Sequence, residues 1–143
     1  MARRLNLDPA PPGWVRDAAL LVARLAIGGF LIHGVWDNIV SAARMAEFAR
    51  FLAGHGFPLP HLMAPLSVGV QFVAGAALVL GIATRWAGLL VVANFVVALA
   101  MVDAALGVRG AWPSVSLVVL GLIFASFGAG RIALDPLMGR HRR

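Results

Sequence analysis

The chain has 143 residues, of which 61% are hydrophobic and only 13% are charged, and its mean hydropathy is +0.89. This balance is far from that of a soluble domain and is typical of a membrane protein. All 12 basic residues are arginines at the ends of apolar runs or in the terminal segments, which indicates contact with lipid headgroups and argues against nucleic acid as a partner.

Three residue types that often support chemistry are missing from the sequence. There is no cysteine, which excludes disulfides, thiolate metal ligands and thiol nucleophiles within this chain. There is also no tyrosine and no lysine, which excludes a phenol radical and a Schiff-base lysine. We therefore do not expect a self-sufficient enzyme, and any electrons that pass through the protein must come from a partner.

The first predicted membrane span covers residues 18–39 and carries three polar side chains in an otherwise apolar helix. His33 and Asp37 are four residues apart and share one helix face, about 6 Å from each other. Arg24 points to the opposite face and lies about 9 Å from the start of the span, so it can snorkel to the headgroups. Polar groups are costly in lipid, and each must find a partner in the protein or at the surface.

A short helix is predicted over residues 41–53, with Ser41 as its N-cap. The apolar side chains of this segment share one face, and Arg44, Glu47 and Arg50 follow at i, i+3 spacing. This amphipathic pattern is typical of a helix that lies in the membrane interface.

Three further apolar stretches follow, each long enough to cross ~30 Å of hydrocarbon. These predicted spans are residues 62–83, 86–108 and 111–128. The two-residue turn at Thr84-Arg85 forces the helices on either side of it to run antiparallel. The fold expected for residues 18–130 is therefore all-α: an antiparallel bundle of four transmembrane helices with a short interfacial helix after the first span.

The distribution of arginine predicts the orientation in the membrane. With four spans, the N-terminal arm (residues 1–17), the turn at 84–85 and the tail (residues 131–143) share one side, and they hold nine arginines when Arg24 is counted. Three arginines lie on the other side. Because positive residues favour the cytoplasmic side, both termini are expected in the cytoplasm. The tryptophans also fall at span boundaries, as an aromatic belt requires: Trp14, Trp36, Trp86 and Trp112.

Several short motifs match a known family in their order and spacing. They are Arg24 at the opening of the first helix, the Gly28-Gly29 and His33-Gly34 pairs, the Gly56-Phe57-Pro58 turn, LGIATR at 80–85, Asn94 in the third span, and GAGRIALD at 128–135. From about residue 24 to residue 135, the sequence resembles the DoxX family of small four-span bacterial membrane proteins.

The resemblance implies a multi-pass protein of the bacterial inner membrane. It also links the chain to quinones, because the family is similar to the membrane subunits of thiosulfate:quinone and quinol oxidoreductase systems. Two positions depart from the family pattern. Asp37 stands where relatives often carry a lysine, and Gln71 stands where they often carry a glutamate. If those groups form an ion pair or proton relay in relatives, this chain has altered it.

Five residues are candidates for one outward-facing ligand site: His33, Asp37, Gln71, Asp103 and Trp112. In this hypothesis His33 hydrogen-bonds a quinone carbonyl oxygen and Asp37 orients the imidazole and exchanges its proton. Trp112 or Trp36 would supply a flat apolar wall. The alternative is that His33 and Asp37 only satisfy each other's hydrogen bonds.

The remaining polar residues are expected to stabilise the fold. Gln71 is also suited, like Asn94, to an interhelical hydrogen bond. Asp135 follows the fourth span on the same side as Arg24 and Arg85, so an ion pair of Asp135 with one of these arginines is expected to hold the tail beneath the bundle. No metal site is predicted, because no two histidines have the i, i+4 spacing of a helical ligand set.

Two functions stay open at this point. The first is a quinone-interacting component of a membrane oxidoreductase assembly, with no intrinsic cofactor besides a bound quinone. The second is a non-catalytic structural or assembly subunit that associates with other membrane subunits or with copies of itself. The first predicts an outward polar pocket that holds a ligand. The second predicts polar residues paired inside the protein and a lipid-facing flank docked against a partner.

Overall fold

The computed structural model describes residues 11–135, and this part of the chain is built from helices. The elements are α1 (Gly13–Val40), α2 (Ala42–Gly54), α3 (Pro60–Leu80), α4 (Thr84–Met101), a 3-10 helix (Asp103–Leu106) and α5 (Gly107–Phe127). Four segments are long and apolar enough to cross a membrane, namely α1, α3, α4 and the stretch from the 3-10 helix through α5. The prediction of an all-α membrane protein is confirmed.

Helix α1 begins earlier than predicted, at Gly13, directly after Pro12. Since nothing between Gly13 and residue 18 breaks a helix, the end of the predicted arm continues the first span. The 28 residues of α1 reach about 42 Å, which exceeds the ~30 Å of hydrocarbon. Residues 1–10 of the predicted arm and residues 136–143 of the predicted tail lie outside the described residues.

The connection between α3 and α4 is shifted by a glycine. Gly81 takes a left-handed conformation with φ +68°, which glycine adopts without steric cost and which ends α3 at Leu80. Helix α4 then begins at Thr84, so the predicted Thr84-Arg85 turn is the first turn of α4. Residues 81–83 make the connection instead.

The largest difference from the predicted spans lies between α4 and α5. The third span was expected to continue through this region, whereas α4 ends at Met101 and a 3-10 helix follows. Gly107, with φ +71°, begins α5, so residues 109 and 110, which lie between the third and fourth predicted spans, are helical. The hydroxyl of Ser114 on α5 donates a hydrogen bond to the carboxylate of Asp103. This bond ties the short 3-10 helix to α5.

Neighbouring long helices run antiparallel. On α1 and α3, Gly28 lies against Gly75, while Trp36, farther along α1, has its ring centroid 6.4 Å from that of Phe72. Helix α3 packs in turn against α4, and α4 packs against α5. Buried side chains from all four long helices form one core: Leu31, Ala74, Leu78, Ala87, Val91, Leu117 and Phe124.

Helix α2 packs over the beginning of α3. The hydroxyl of Ser41 caps α2 by accepting a hydrogen bond from the backbone N–H of Arg44 at 3.4 Å. Ala49 and Leu52 on α2 are buried against Ala64 on α3. The apolar face of α2 therefore points into the protein. Its location in the membrane interface stays a prediction.

The four tryptophans are exposed and occupy the two ends of the fold. Trp14 and Trp86 stand near the beginnings of α1 and α4, at the end where the chain enters and leaves the fold. Trp36 and Trp112 stand near the end of α1 and the beginning of α5, at the opposite end. This arrangement fits two aromatic belts, one at each membrane surface.

Glycines on both helices allow the backbones of α4 and α5 to make direct contact, and a substitution can test this contact. A Cβ atom at Gly88 would lie 2.5 Å from the carbonyl oxygen of Gly121. We expect Gly88→Ala to lower the free energy of unfolding by about 1–3 kcal/mol, because the two helices must separate. The measurement is the thermal unfolding midpoint in a mild detergent.

Gly69 on α3 is the matched control, because an added Cβ at that position meets nothing within 4 Å. Gly69→Ala should leave the midpoint unchanged or raise it, since alanine favours a helix by about 1 kcal/mol over glycine. Equal midpoints for the two variants would contradict the close contact of α4 with α5.

Candidate functional site

A cavity of about 420 Å³ lies between α2, α3 and α4, at the end of the fold that holds the 3-10 helix. Apolar side chains form most of its wall, with four phenylalanines among them: Phe48, Phe51, Phe57 and Phe95. Five polar side chains also line it: Ser67, Gln71, Asn94, Asp103 and Ser114. A mostly apolar cavity with a few polar groups is the usual composition of a small-molecule site.

Three of the polar side chains form a hydrogen-bonded row across α3 and α4. The Nε2 of Gln71 donates to the Oγ of Ser67 at 3.2 Å, and the Ser67 hydroxyl donates to the Oδ1 of Asn94 at 2.9 Å. Ser67 and Gln71 are four residues apart on α3, which places both on one face. Among the described residues, the Nδ2 of Asn94 and the Oε1 of Gln71 have no hydrogen-bond partner. The Nδ2 group of Asn94 and the Oε1 of Gln71 are thus left for a ligand.

Asp103 and Ser114 form a second group of polar side chains in the cavity wall. Ser114 is buried, and its hydroxyl donates to the Oδ2 of Asp103. Asp103 follows the end of α4, whereas Asn94 lies within that helix. Among the described lining residues, Asp103 alone has an ionisable side chain.

The structure brings together two of the five residues predicted for the ligand site. Gln71 and Asp103 line the cavity, whereas His33, Asp37 and Trp112 are exposed and lie outside its wall. For His33 the reason is helix geometry. Leu31 and Val35 lie on the buried face of α1, and a residue midway between them on the chain points away from that face.

The alternative prediction was a hydrogen bond between His33 and Asp37. Both residues are described by the structure, and their side chains make no hydrogen bond with each other. The Oδ1 of Asp37 accepts from the backbone N–H of Asn38 at 2.9 Å, and its Oδ2 lies 3.9 Å from the Nε of Arg44. Asp37 thus belongs to an exposed polar group at the junction of α1 and α2.

Sequence reasoning did not assign Ser67 or Asn94 to the site. Asn94 was expected to make an interhelical hydrogen bond, and it does so with Ser67 while also lining the cavity. The i, i+4 spacing of Ser67 and Gln71 was the available signal, since it places two polar side chains on one face of an apolar helix. Their meeting with Asn94 depends on how α3 and α4 pack.

The other end of the fold holds the arginine that was expected to snorkel. Arg24 is only 1% exposed, and its guanidinium donates hydrogen bonds to the carbonyl oxygens of Leu78, at 3.3 Å, and of Ile132. Buried cations require such partners in lipid. Arg24 therefore joins α1 to the end of α3 and to the segment that follows α5.

Asp135 caps a helix. Its carboxylate accepts hydrogen bonds from the backbone N–H groups of Ala83, at 2.8 Å, and Thr84, at 3.3 Å, at the beginning of α4. Within residues 11–135, no nitrogen of Arg24 or Arg85 lies within 4.0 Å of this carboxylate. A carboxylate at a helix N-terminus satisfies free N–H groups and interacts favourably with the helix dipole.

The segment after α5 is fixed at two further points. The carboxylate of Asp17, which is buried on α1, accepts a hydrogen bond from the backbone N–H of Arg131 at 3.2 Å. The backbone N–H of Asp135 donates to the carbonyl oxygen of Gly81 at 3.0 Å. Hydrogen bonds to backbone groups thus hold residues 131–135 against the bundle.

Comparison with known proteins gives one match. The DoxX family model matches residues 19–104, which is more than half of the chain and includes all the described cavity residues except Ser114. Neither the curated proteins nor the solved structures contain a match to this sequence.

The role of Asp135 can be tested by two substitutions. A cap needs only a hydrogen-bond acceptor, so Asp135→Asn should keep most of the stability, whereas Asp135→Ala should lose about 1 kcal/mol or more. Thermal unfolding in detergent measures both. An ion pair would instead make the asparagine and alanine variants equally unstable, and that result would contradict the cap.

Proposed function

The chain belongs to the DoxX family, and from this premise we propose that it binds a quinone as a component of a membrane oxidoreductase assembly. The observation that carries the proposal is the apolar cavity with the Gln71–Ser67–Asn94 row in its wall. A quinone has the matching chemistry, because it combines a flat apolar ring with carbonyl oxygens that only accept hydrogen bonds.

Asn94 is the residue best suited to hold a carbonyl oxygen. Its Oδ1 is engaged by the hydroxyl of Ser67, which orients the amide and leaves the Nδ2 group to donate. The Oε1 of Gln71 can accept from a ring hydroxyl, which only the reduced form of such a ligand has. The row therefore suits both redox forms.

The cavity wall also supports the proposal. Phe48 and Phe57 supply aromatic surface to the cavity wall, and the apolar side chains of α2 that pack on α3 limit access of water from one side. The carboxylate of Asp103 adds a second hydrogen-bond acceptor group to the wall. When bound, a quinone would carry electrons and protons within the membrane, and the electrons would come from a partner.

The orientation of the protein is part of the proposal. Arg16, Arg24, Arg85 and Arg131 lie at one end of the described structure, and Arg44, Arg50 and Arg109 lie at the other. The five arginines that complete the predicted bias are in residues 1–10 and 136–143. With both termini in the cytoplasm of a bacterium, the cavity would be in the outer half of the inner membrane.

Direct binding tests the proposal. We expect the purified protein in mild detergent to bind one quinone with a ten-carbon side chain per chain, as detected by native mass spectrometry and equilibrium dialysis. Asn94→Leu should weaken binding about tenfold, since a lost hydrogen bond of about 1.4 kcal/mol corresponds to that factor.

His33→Leu is the control, because His33 is exposed and lies outside the cavity wall. Its affinity should equal that of the wild-type protein. If the wild-type protein binds no quinone and purifies with other membrane subunits, the second function, that of a structural or assembly subunit, replaces the first.

A further inference from the structure

The cavity is open on the side that faces lipid. Three of its apolar lining residues are strongly exposed: Leu66 on α3 at 56%, and Leu90 and Val97 on α4 at 39% and 49%. These side chains lie on the flanks of two predicted membrane spans, where hydrocarbon would surround them. The opening between α3 and α4 thus leads into the bilayer.

Helix α2 covers part of another side of the cavity. Leu52 on α2 lines the cavity and is packed on Ala64, which is fully buried, while Phe51 on α2 also lines it and is 47% exposed. The charged side chains of α2 lie on its exposed face, where the Nη1 of Arg44 is 3.0 Å from the Oε2 of Glu47. A molecule that approaches from this side of α2 therefore meets charged side chains before the cavity, whereas the side between α3 and α4 is apolar.

The polar row lies within one helical turn of the opening. Leu90 precedes Asn94 by four residues and Val97 follows it by three, so the three side chains share one face of α4. A ring that accepts a hydrogen bond from Asn94 would therefore lie next to both exposed residues. Anything attached to that ring has an apolar path out of the cavity.

The size of the cavity limits what it can enclose. Its volume of about 420 Å³ is near the lower end of small-molecule sites, which span about 300–1,000 Å³. Such a volume holds a substituted ring and the beginning of a chain. A long chain must extend outside, along Leu66, Leu90 and Val97.

We propose that the cavity takes its ligand sideways from the bilayer, through the opening between α3 and α4. The ligand is then an amphiphile that places an oxygen-bearing ring at Asn94 and leaves a long apolar chain in the lipid. This inference rests on the proposed function, and it narrows the ligand class to quinones with long chains.

The test compares two quinones with the same ring, one with a ten-carbon chain and one with none, on protein in lipid nanodiscs. Val97→Trp places a large side chain in the opening. It should weaken binding of the chain-bearing quinone at least tenfold and change binding of the chainless one less than twofold. Equilibrium dialysis with matched amounts of lipid measures both affinities.

Val96→Trp is the matched control, because Val96 is adjacent on α4 and 45% exposed but does not line the cavity. It should leave both affinities unchanged. A second measurement uses the native chain and a quinone that carries a photoreactive diazirine within its ten-carbon chain. Crosslinks at Leu66, Leu90 or Val97 are expected, whereas crosslinks confined to α2 would overturn the sideways route.

The outcomes separate this inference from the proposed function. If both quinones bind and the two tryptophan variants behave alike, the sideways route is wrong and quinone binding stands. If the wild-type protein binds neither quinone, or native mass spectrometry finds only phospholipid in the cavity, both the route and the proposed function are overturned.

Discussion

Hydrocarbon offers no hydrogen-bond partners, so a polar group in a membrane span must find its partner within the protein. The packing of this structure depends on that constraint. The Nη1 and Nη2 of Arg24 donate to backbone carbonyl oxygens, one from α3 and one from the segment after α5, and its Nε has no partner among the described residues. The hydroxyl of Ser67 and the Oδ1 of Asn94 pair with each other, across α3 and α4. The same side chains that stabilise the packing of apolar helices thus mark the two polar regions of the protein, one at each end.

The helices could largely be predicted from the sequence, whereas their ends could not. Apolar runs of sufficient length identify four spans, and Ser41 signals the beginning of α2. The end of α3 and the beginning of α5 coincide with single glycines of positive φ, Gly81 and Gly107. Glycine is common throughout this chain, so its presence alone did not indicate where a helix stops. The role of Asp135 could not be predicted from its charge alone, since a carboxylate can pair with an arginine or cap a helix.

The candidate site could be predicted only in part, because all faces of a membrane helix are similarly apolar. In a soluble helix, hydropathy distinguishes the buried face from the exposed one. In α1 it does not, and the buried face that contains Leu31 and Val35 is opposite to His33. Gln71 and Asp103 line one cavity, and the bond of Gln71 to Ser67 is made within α3, whereas the meeting of Ser67 with Asn94 depends on how α3 and α4 pack. The amino-acid composition does not reveal two hydrogen bonds among three uncharged side chains.

The unequal lengths of α1 and α4 have a consequence for the surrounding bilayer. Helix α1 has 28 residues and reaches about 42 Å, whereas the 18 residues of α4 reach about 27 Å before the 3-10 helix begins. Lipid around α1 meets a helix longer than the hydrocarbon, which tilt or thickening can accommodate, and lipid around α4 meets one slightly shorter. Helices α1 and α4 therefore match different thicknesses of the hydrocarbon layer. The flank of α4 is the one that borders the cavity.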